Sequence, residues 1–189
     1  MMDLKERILK NKEKFELTNA KYNVLTDRLL DFLGEDLFSA PASNMESMYN
    51  AFPGGLVDYI LKVTKYGINL NDILPEDQRV NKSSIIKVCF LHQLGKVPLF
   101  KFNESEWHRT NQGKMYEFNE DLVSMRVSER SVFFSLKYGV ELTEEEYQSI
   151  INYDKSDDDK QSKWYSCTLS HILRIANELA ILECKNNNN

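Results

Sequence analysis

The chain has 189 residues, of which 42% are hydrophobic, a size and composition that can bury one substantial core. Its net charge of -5 comes without a basic run or interleaved aromatic and basic residues, which argues against a broad nucleic-acid-binding face. No apolar run approaches the roughly 20 residues that a transmembrane helix requires, so we expect no membrane span.

The N-terminal part predicts a charged helical extension followed by the body of the protein. Residues 3–16 alternate lysine and glutamate along a thin apolar edge, so we assign residues 1–18 to an appended helix. Residues 22–33 carry leucines at helical spacing, and Gly34 follows them as a helix stop. This second helix is expected to pack on the main body.

Two central helices are predicted next, and both carry apolar side chains toward the core. Residues 54–66 place Tyr59 on an apolar side, and Gly67 is expected to end this helix. The following helix, with Ser83 or Ser84 as its cap, is apolar nearly all round through residue 91. Such a pattern is typical of a buried central helix.

The pattern then changes before helices resume. Residues 97–118 contain two short apolar runs around a polar turn, which indicates a small β-hairpin or an ordered loop. Three more helices are predicted near residues 120–138, 143–153 and 167–184. Residues 19–184 thus form the predicted helical domain, and the Asn-rich residues 185–189 are expected to be a disordered tail.

The three cysteines indicate a reducing compartment. Cys89, Cys167 and Cys184 lack the spacing of a metal site, and no secretory signal precedes them. We therefore expect an intracellular, cytoplasmic protein with packed thiols.

One short stretch carries the clearest resemblance to a known family. Residues 90–97 read FLHQLGKV, with His92 and Gln93 followed by Gly95 and Lys96. A His-Asp pair in a buried helix, followed by Gly-Lys, is the hallmark of the HD-domain superfamily, whose members are mostly metal-dependent phosphohydrolases acting on nucleotides. The chain resembles that motif, with Gln93 in the place of the Asp.

The resemblance covers roughly residues 40–184 and extends to three other segments. Tyr59 follows Gly-Gly-Leu where relatives have a ligand His, and Tyr153 ends a helix where many relatives have another active-site His. Asn177 follows Ala in the last helix, where relatives have an Asp. The matched positions are therefore Tyr59, His92, Gln93, Tyr153 and Asn177.

The resemblance implies an all-α, HD-domain-like helical bundle whose metal site has lost most of its ligands. A hard divalent cation needs carboxylate charge and several oxygen or imidazole donors, and Gln, Asn and neutral Tyr supply little of either. We therefore assign no catalytic residue, no metal and no cofactor. His92 is interpreted as a hydrogen-bonded core residue, with a catalytic base as the alternative.

Three basic residues are candidates for anion binding. Lys96, Arg126 and Arg130 match or flank positions that line the pocket in the relatives. Ammonium and guanidinium groups can hold a phosphate without a metal, although an ordinary surface would carry such residues as well.

Two classes of function compete. The preferred hypothesis is a catalytically inactive HD-like domain that binds a protein partner, or holds a nucleotide-like ligand without hydrolysing it. The alternative is a metal-dependent phosphohydrolase with non-standard ligands, such as His92 with Asp154 or Glu178. The chain is rich in Asn, Lys and Ile, a composition typical of an AT-rich genome, and relatives of the resembled family occur in phages and bacteria. By analogy alone, these features suggest a phage-encoded accessory protein that acts in the bacterial cytoplasm or an infected host cell.

Overall fold

Helices dominate the structure, a computed structural model that describes residues 3–155 and 166–186. The helices are α1 (Leu4–Tyr22), α2 (Asp27–Leu33), α3 (Asp36–Ser39), α4 (Gly55–Asp72), α5 (Lys82–Leu91), α6 (Glu106–Gln112), α7 (Val127–Lys137), α8 (Glu144–Asn152) and α9 (Thr168–Asn186). Two short strands, β1 (Phe100–Phe102) and β2 (Tyr116–Phe118), form an antiparallel pair. The predicted all-α class with a small hairpin is confirmed.

The first two helices differ from their predicted bounds. Asn23 adopts a left-handed conformation with φ of 49° and ends α1, and the Thr26 side chain then accepts a hydrogen bond from the Leu29 N–H to begin α2. The helix predicted from residue 22 therefore starts at Asp27, because two capping residues separate it from α1. Gly34, with φ of 51°, ends α2 as expected.

The boundary predicted at residue 18 falls inside a single continuous helix. α1 runs through that position and packs against α4 and α5. Phe15 is fully buried, and its ring stacks on the ring of Phe90 with centroids 4.4 Å apart. Although its sequence is rich in charged residues, α1 therefore has one apolar side that packs in the same core as α4 and α5.

Gly67 lies within α4, although we expected it to end that helix. A Cβ at this position would lie 3.0 Å from the Ile85 side chain and 3.2 Å from the Cys89 sulfur, so the glycine lets α4 and α5 approach closely. The cap of α5 also differs from the prediction, because Asn81, and not Ser83 or Ser84, caps it by accepting from the Ser83 N–H. As predicted, α5 is buried along its apolar length.

The hairpin contains a helix where we predicted a polar turn. β1 and β2 pair with Phe100 opposite Phe118, and α6 lies between the two strands in the chain. Ser105 caps α6 by accepting from the His108 N–H, and Gly113 ends it with φ of 60°. The signals at both ends of α6 are present in the sequence, but the helix between them is only seven residues long.

The C-terminal helices close the bundle around α4 and α5. α9 packs against α4, α5 and α8, and it continues through Asn186, two residues beyond its predicted end. The rest of the predicted tail, residues 187–189, lies outside the described residues. Within the described ranges, no helix is both long and apolar enough to span a bilayer.

Candidate functional site: a neutral cluster of buried polar side chains

The five positions singled out by the resemblance meet in the centre of the bundle. Tyr59 lies on α4, His92 and Gln93 follow α5, Tyr153 follows α8, and Asn177 lies on α9. All five are at most 8% exposed. We call these residues the neutral cluster.

Asn177 is the acceptor that connects the cluster. The Tyr59 hydroxyl donates to Asn177 Oδ1 at 2.6 Å and approaches the backbone oxygen of the same residue at 3.1 Å. Gln93 Nε2 donates to the same Oδ1 at 3.2 Å. The amide oxygen of Asn177 therefore connects α9 to α4 and to the turn after α5, although Asn177 and Tyr59 are 118 residues apart in sequence.

The turn after α5 is held by α7. The Gly95 N–H donates to Ser131 Oγ at 2.8 Å, and the Ser131 hydroxyl donates to the His92 carbonyl oxygen at 2.9 Å. A Cβ on Gly95 would lie 2.5 Å from the Val127 oxygen, closer than any side chain tolerates. The glycine of the FLHQLGKV stretch therefore allows the turn that follows His92 and Gln93 to pack closely against α7.

The His92 ring has a defined protonation state. Nδ1 lies 2.8 Å from the Cys89 carbonyl oxygen, and since a carbonyl only accepts, Nδ1 carries the hydrogen. Complete burial lowers the pKa of His92 to about 4, with the nearby Lys96 charge acting in the same direction, and the Cys89 and Asn177 contacts oppose this shift. The imidazole is therefore neutral at pH 7, with its lone pair on Nε2.

The tyrosines of the cluster are neutral as well. Burial raises the pKa of Tyr59 and that of Tyr153, and neighbouring titratable groups add to both shifts. The His92 and Tyr153 rings meet edge to face with centroids 4.8 Å apart. The cluster thus offers a divalent cation one imidazole, two amides and two phenols without any negative charge, a donor set that does not fit such an ion.

The carboxylate of Asp58, which precedes Tyr59 in sequence, is directed away from the neutral cluster. Asp58 accepts from Arg7 Nη2 at 2.8 Å, from Asn11 at 2.9 Å and from Asn50 at 2.8 Å, and Lys62 lies 3.4 Å away. Burial would raise the pKa of Asp58, but the Arg7 hydrogen bonds and the Lys62 charge lower it overall. Asp58 therefore pairs with α1 and is not offered to the cluster.

The two carboxylates of the alternative hypothesis are exposed. Asp154 follows Tyr153, whose pKa its charge raises, and Glu178 follows Asn177 on the solvent side of α9. Among the described residues, no group of three or more His, Cys, Asp and Glu side chains is arranged to hold a metal ion.

The three candidate anion-binding residues have different surroundings. Lys96 is buried, and its ammonium donates to the Ala42 oxygen at 2.6 Å and to the Tyr49 hydroxyl at 2.9 Å. Arg130 is also buried and donates to the Val123 oxygen at 2.7 Å, while burial lowers its pKa. Arg126 is exposed at the start of α7. Lys96 and Arg130 thus donate hydrogen bonds to backbone oxygens of the protein itself.

Tyr49 belongs to the site although no pattern in the sequence indicates it. Its ring packs against Tyr59 with centroids 4.8 Å apart, and its hydroxyl accepts from Lys96. Tyr49 lies in the irregular segment between α3 and α4, where no periodicity indicates which side chains turn inward. Only the folded chain shows that it covers the cluster.

No family model, no curated protein and no solved structure matches this chain. The HD-domain assignment therefore stays a prediction that rests on the residues quoted above.

Proposed function

We propose that this chain is a catalytically inactive HD-like domain that serves as a binding module for a protein partner. The observation that supports it best is the donor set of the neutral cluster, in which Asn177 Oδ1 is already held by Tyr59 and Gln93. Metal-assisted phosphoester hydrolysis needs a Lewis acid and an activated water, and the hard divalent cations that supply both are held mainly by carboxylate oxygens. Lys96, which depresses the pKa of His92, adds positive charge and disfavours a cation further.

Burial of the cluster favours a protein partner over a nucleotide. A nucleotide-like ligand would need to reach basic groups, but Lys96 and Arg130 are buried and bound to backbone oxygens. Elsewhere, Phe102, Trp107 and Phe118 are 51–58% exposed on the hairpin and α6. Aromatic side chains of this kind are enriched at protein–protein interfaces, which is consistent with a protein partner.

The inactive state is tested by metal analysis and hydrolysis assays. Purified protein is expected to contain no stoichiometric metal and, with added Mn²⁺ or Mg²⁺, to hydrolyse nucleotides no faster than the His92→Ala variant. A stoichiometric metal, or metal-dependent turnover that the His92→Ala variant lacks, would support the phosphohydrolase alternative and overturn the proposal.

The binding role is tested by co-purification from the native host, mass spectrometry and reconstitution with the identified protein. We expect a direct complex of defined stoichiometry, and no change of melting temperature on addition of nucleoside di- and triphosphates. A nucleotide that raises the melting temperature through binding, with the increase lost in Lys96→Met, would replace the protein-partner proposal with a nucleotide-binding one.

A further inference from the structure

Two acceptor atoms of the neutral cluster stand out. His92 Nε2 and Gln93 Oε1 are fully enclosed, and neither has a hydrogen-bond partner among the described residues. The residues themselves are 0% and 2% exposed. A buried acceptor without a donor costs about 1–3 kcal/mol, so buried polar groups nearly always have a partner, either a protein group or an ordered water.

The neighbouring hydrogen bonds fix both atoms as acceptors. The hydrogen of the His92 ring is on Nδ1, where the Cys89 carbonyl accepts it, so Nε2 presents a lone pair. Gln93 directs its amide N–H at Asn177 Oδ1, which leaves Oε1 on the other side of the amide. The Asn177 side chain contacts both residues, so the two acceptors belong to neighbouring residues that meet around one amide.

The chemistry of the site selects its occupant. Two acceptors require a species with two donor hydrogens, and they would repel an anion. A cation is disfavoured because the Lys96 ammonium lies close enough to depress the pKa of His92 and because the cluster holds no opposite charge. Water is neutral, donates twice, and accepts in return.

Donors to the water oxygen are also at hand. Lys96 uses two of its three ammonium hydrogens, for the Ala42 oxygen and the Tyr49 hydroxyl. The Tyr153 hydroxyl belongs to a ring in direct contact with the His92 ring. A water in this place would reach the three or so hydrogen bonds that are typical of buried water.

We propose that His92 Nε2 and Gln93 Oε1 together bind one internal water molecule at the centre of the bundle. The water donates one hydrogen to each of the two atoms and joins α5 to the network around Asn177. This inference concerns the cluster alone and holds whether the chain binds a protein or a nucleotide.

A crystal structure of the full chain, at a resolution that shows ordered water, tests the proposal directly. We expect one density peak about 2.7–3.2 Å from both His92 Nε2 and Gln93 Oε1. Gln93→Met is expected to lose the peak, because one acceptor is replaced by a thioether of similar length. Tyr59→Phe is the matched control, since it removes a hydrogen bond to Asn177 but neither acceptor, and it is expected to keep the peak.

Three results would overturn the proposal: no peak in the wild-type protein, a peak at the roughly 2.0–2.4 Å of a metal ion, or an Asn177 amide turned so that its N–H₂ donates to His92. NMR of the wild-type chain gives an independent test if the variants do not fold. The His92 ring protons are expected to show cross-relaxation to a long-lived water, and a ring without that signal would contradict the site.

Discussion

At position 92, the imidazole donates Nδ1–H to the Cys89 carbonyl, the arrangement by which proteins usually fix a ligating histidine. The residues around it supply amides and phenols in place of anions. Side-chain orientation and metal affinity are therefore separable properties: the backbone of α5 determines the first, and the charge of the neighbours determines the second.

Replacing His92 with Ala is expected to lower the free energy of unfolding by about 2–4 kcal/mol, since it removes a fully buried ring and its hydrogen bond to Cys89. Chemical denaturation measures this change. The exposed His171 offers a control, because His171→Ala should change stability by no more than about 0.5 kcal/mol. Binding to a protein partner should survive the His92→Ala change; loss of that binding at an unchanged melting temperature would contradict the core role.

Restoring an acid at one position is expected to create no activity. Gln93→Asp would place a carboxyl group beside Asn177 in a site that is nearly inaccessible to water, while Tyr59, Tyr153 and Asn177 still withhold ligands. We expect no nucleotide hydrolysis with Mn²⁺ or Mg²⁺, and a stability loss of about 1–3 kcal/mol from the buried polar group. Metal-dependent turnover from this single change would refute the multi-site explanation.

Between elements, the buried Asp58 joins α1 to α4. Its carboxylate accepts two hydrogen bonds from Arg7 and one from Asn11, both on α1, and it also lies near Lys62 of α4. Removing the acid would leave Arg7 without its carboxylate partner in a partly buried position, whereas Lys62 would keep its contact with Glu183. A helix that looks like a solvated arm from its charge pattern is thus fixed by one carboxylate and by Phe15.

Asp58→Asn is expected to cost about 1–2 kcal/mol of stability, because it breaks a partly buried ion pair in which the Arg7 side chain is 35% exposed. Amide hydrogen exchange should become faster in α1 than in α9, since α1 loses its polar attachment to α4. Glu6→Ala, which breaks the exposed pair between Glu6 and Lys10 on the same helix, is the control and should change stability by about 0.5 kcal/mol or less. Equal exchange in α1 of the wild type and Asp58→Asn would disprove this role.

For the whole molecule, two buried groups give stability a stepwise dependence on pH. The unfolded chain binds a proton at His92 near the ordinary pKa of about 6.5, whereas the folded chain does so only near 4. Stability from this group is present above pH 6.5 and is lost as the pH falls toward 4. Asp58, whose pKa is lowered in the fold, contributes above its ordinary pKa and loses that contribution at still lower pH.

We therefore expect the wild-type protein to lose about 3 kcal/mol more than His92→Gln as the pH falls from 6.5 to 4, at about 1.4 kcal/mol for each pH unit. Denaturation curves at half-unit pH steps measure the difference. Both proteins should share the further decline below pH 4. Parallel curves between pH 6.5 and 4 would show that His92 is not held neutral by burial.

Much of the fold follows from local pattern, and the errors have local causes too. Helical spacing predicted α4 and α5, and Gly34 ended α2 as expected, because a chain with apolar side chains at this period must bury one face. Gly67 was misjudged because a glycine can either end a helix or admit a neighbour, and only the position of α5 distinguishes the two. α6 escaped detection because a seven-residue helix whose one large apolar side chain is Trp107 carries little periodicity.

The sequence by itself determined that the protein is helical and that Tyr59 and His92 lie inside, since these follow from residue type and spacing. It also shows that the positions selected by the resemblance carry no anionic side chain. The tertiary structure decided which partners those residues have. It joined Tyr59 to Asn177, directed Asp58 to Arg7, placed Tyr49 over the cluster and lowered the pKa of His92. Hydrogen bonds and desolvation depend on which helix faces meet, and a linear pattern does not encode that directly.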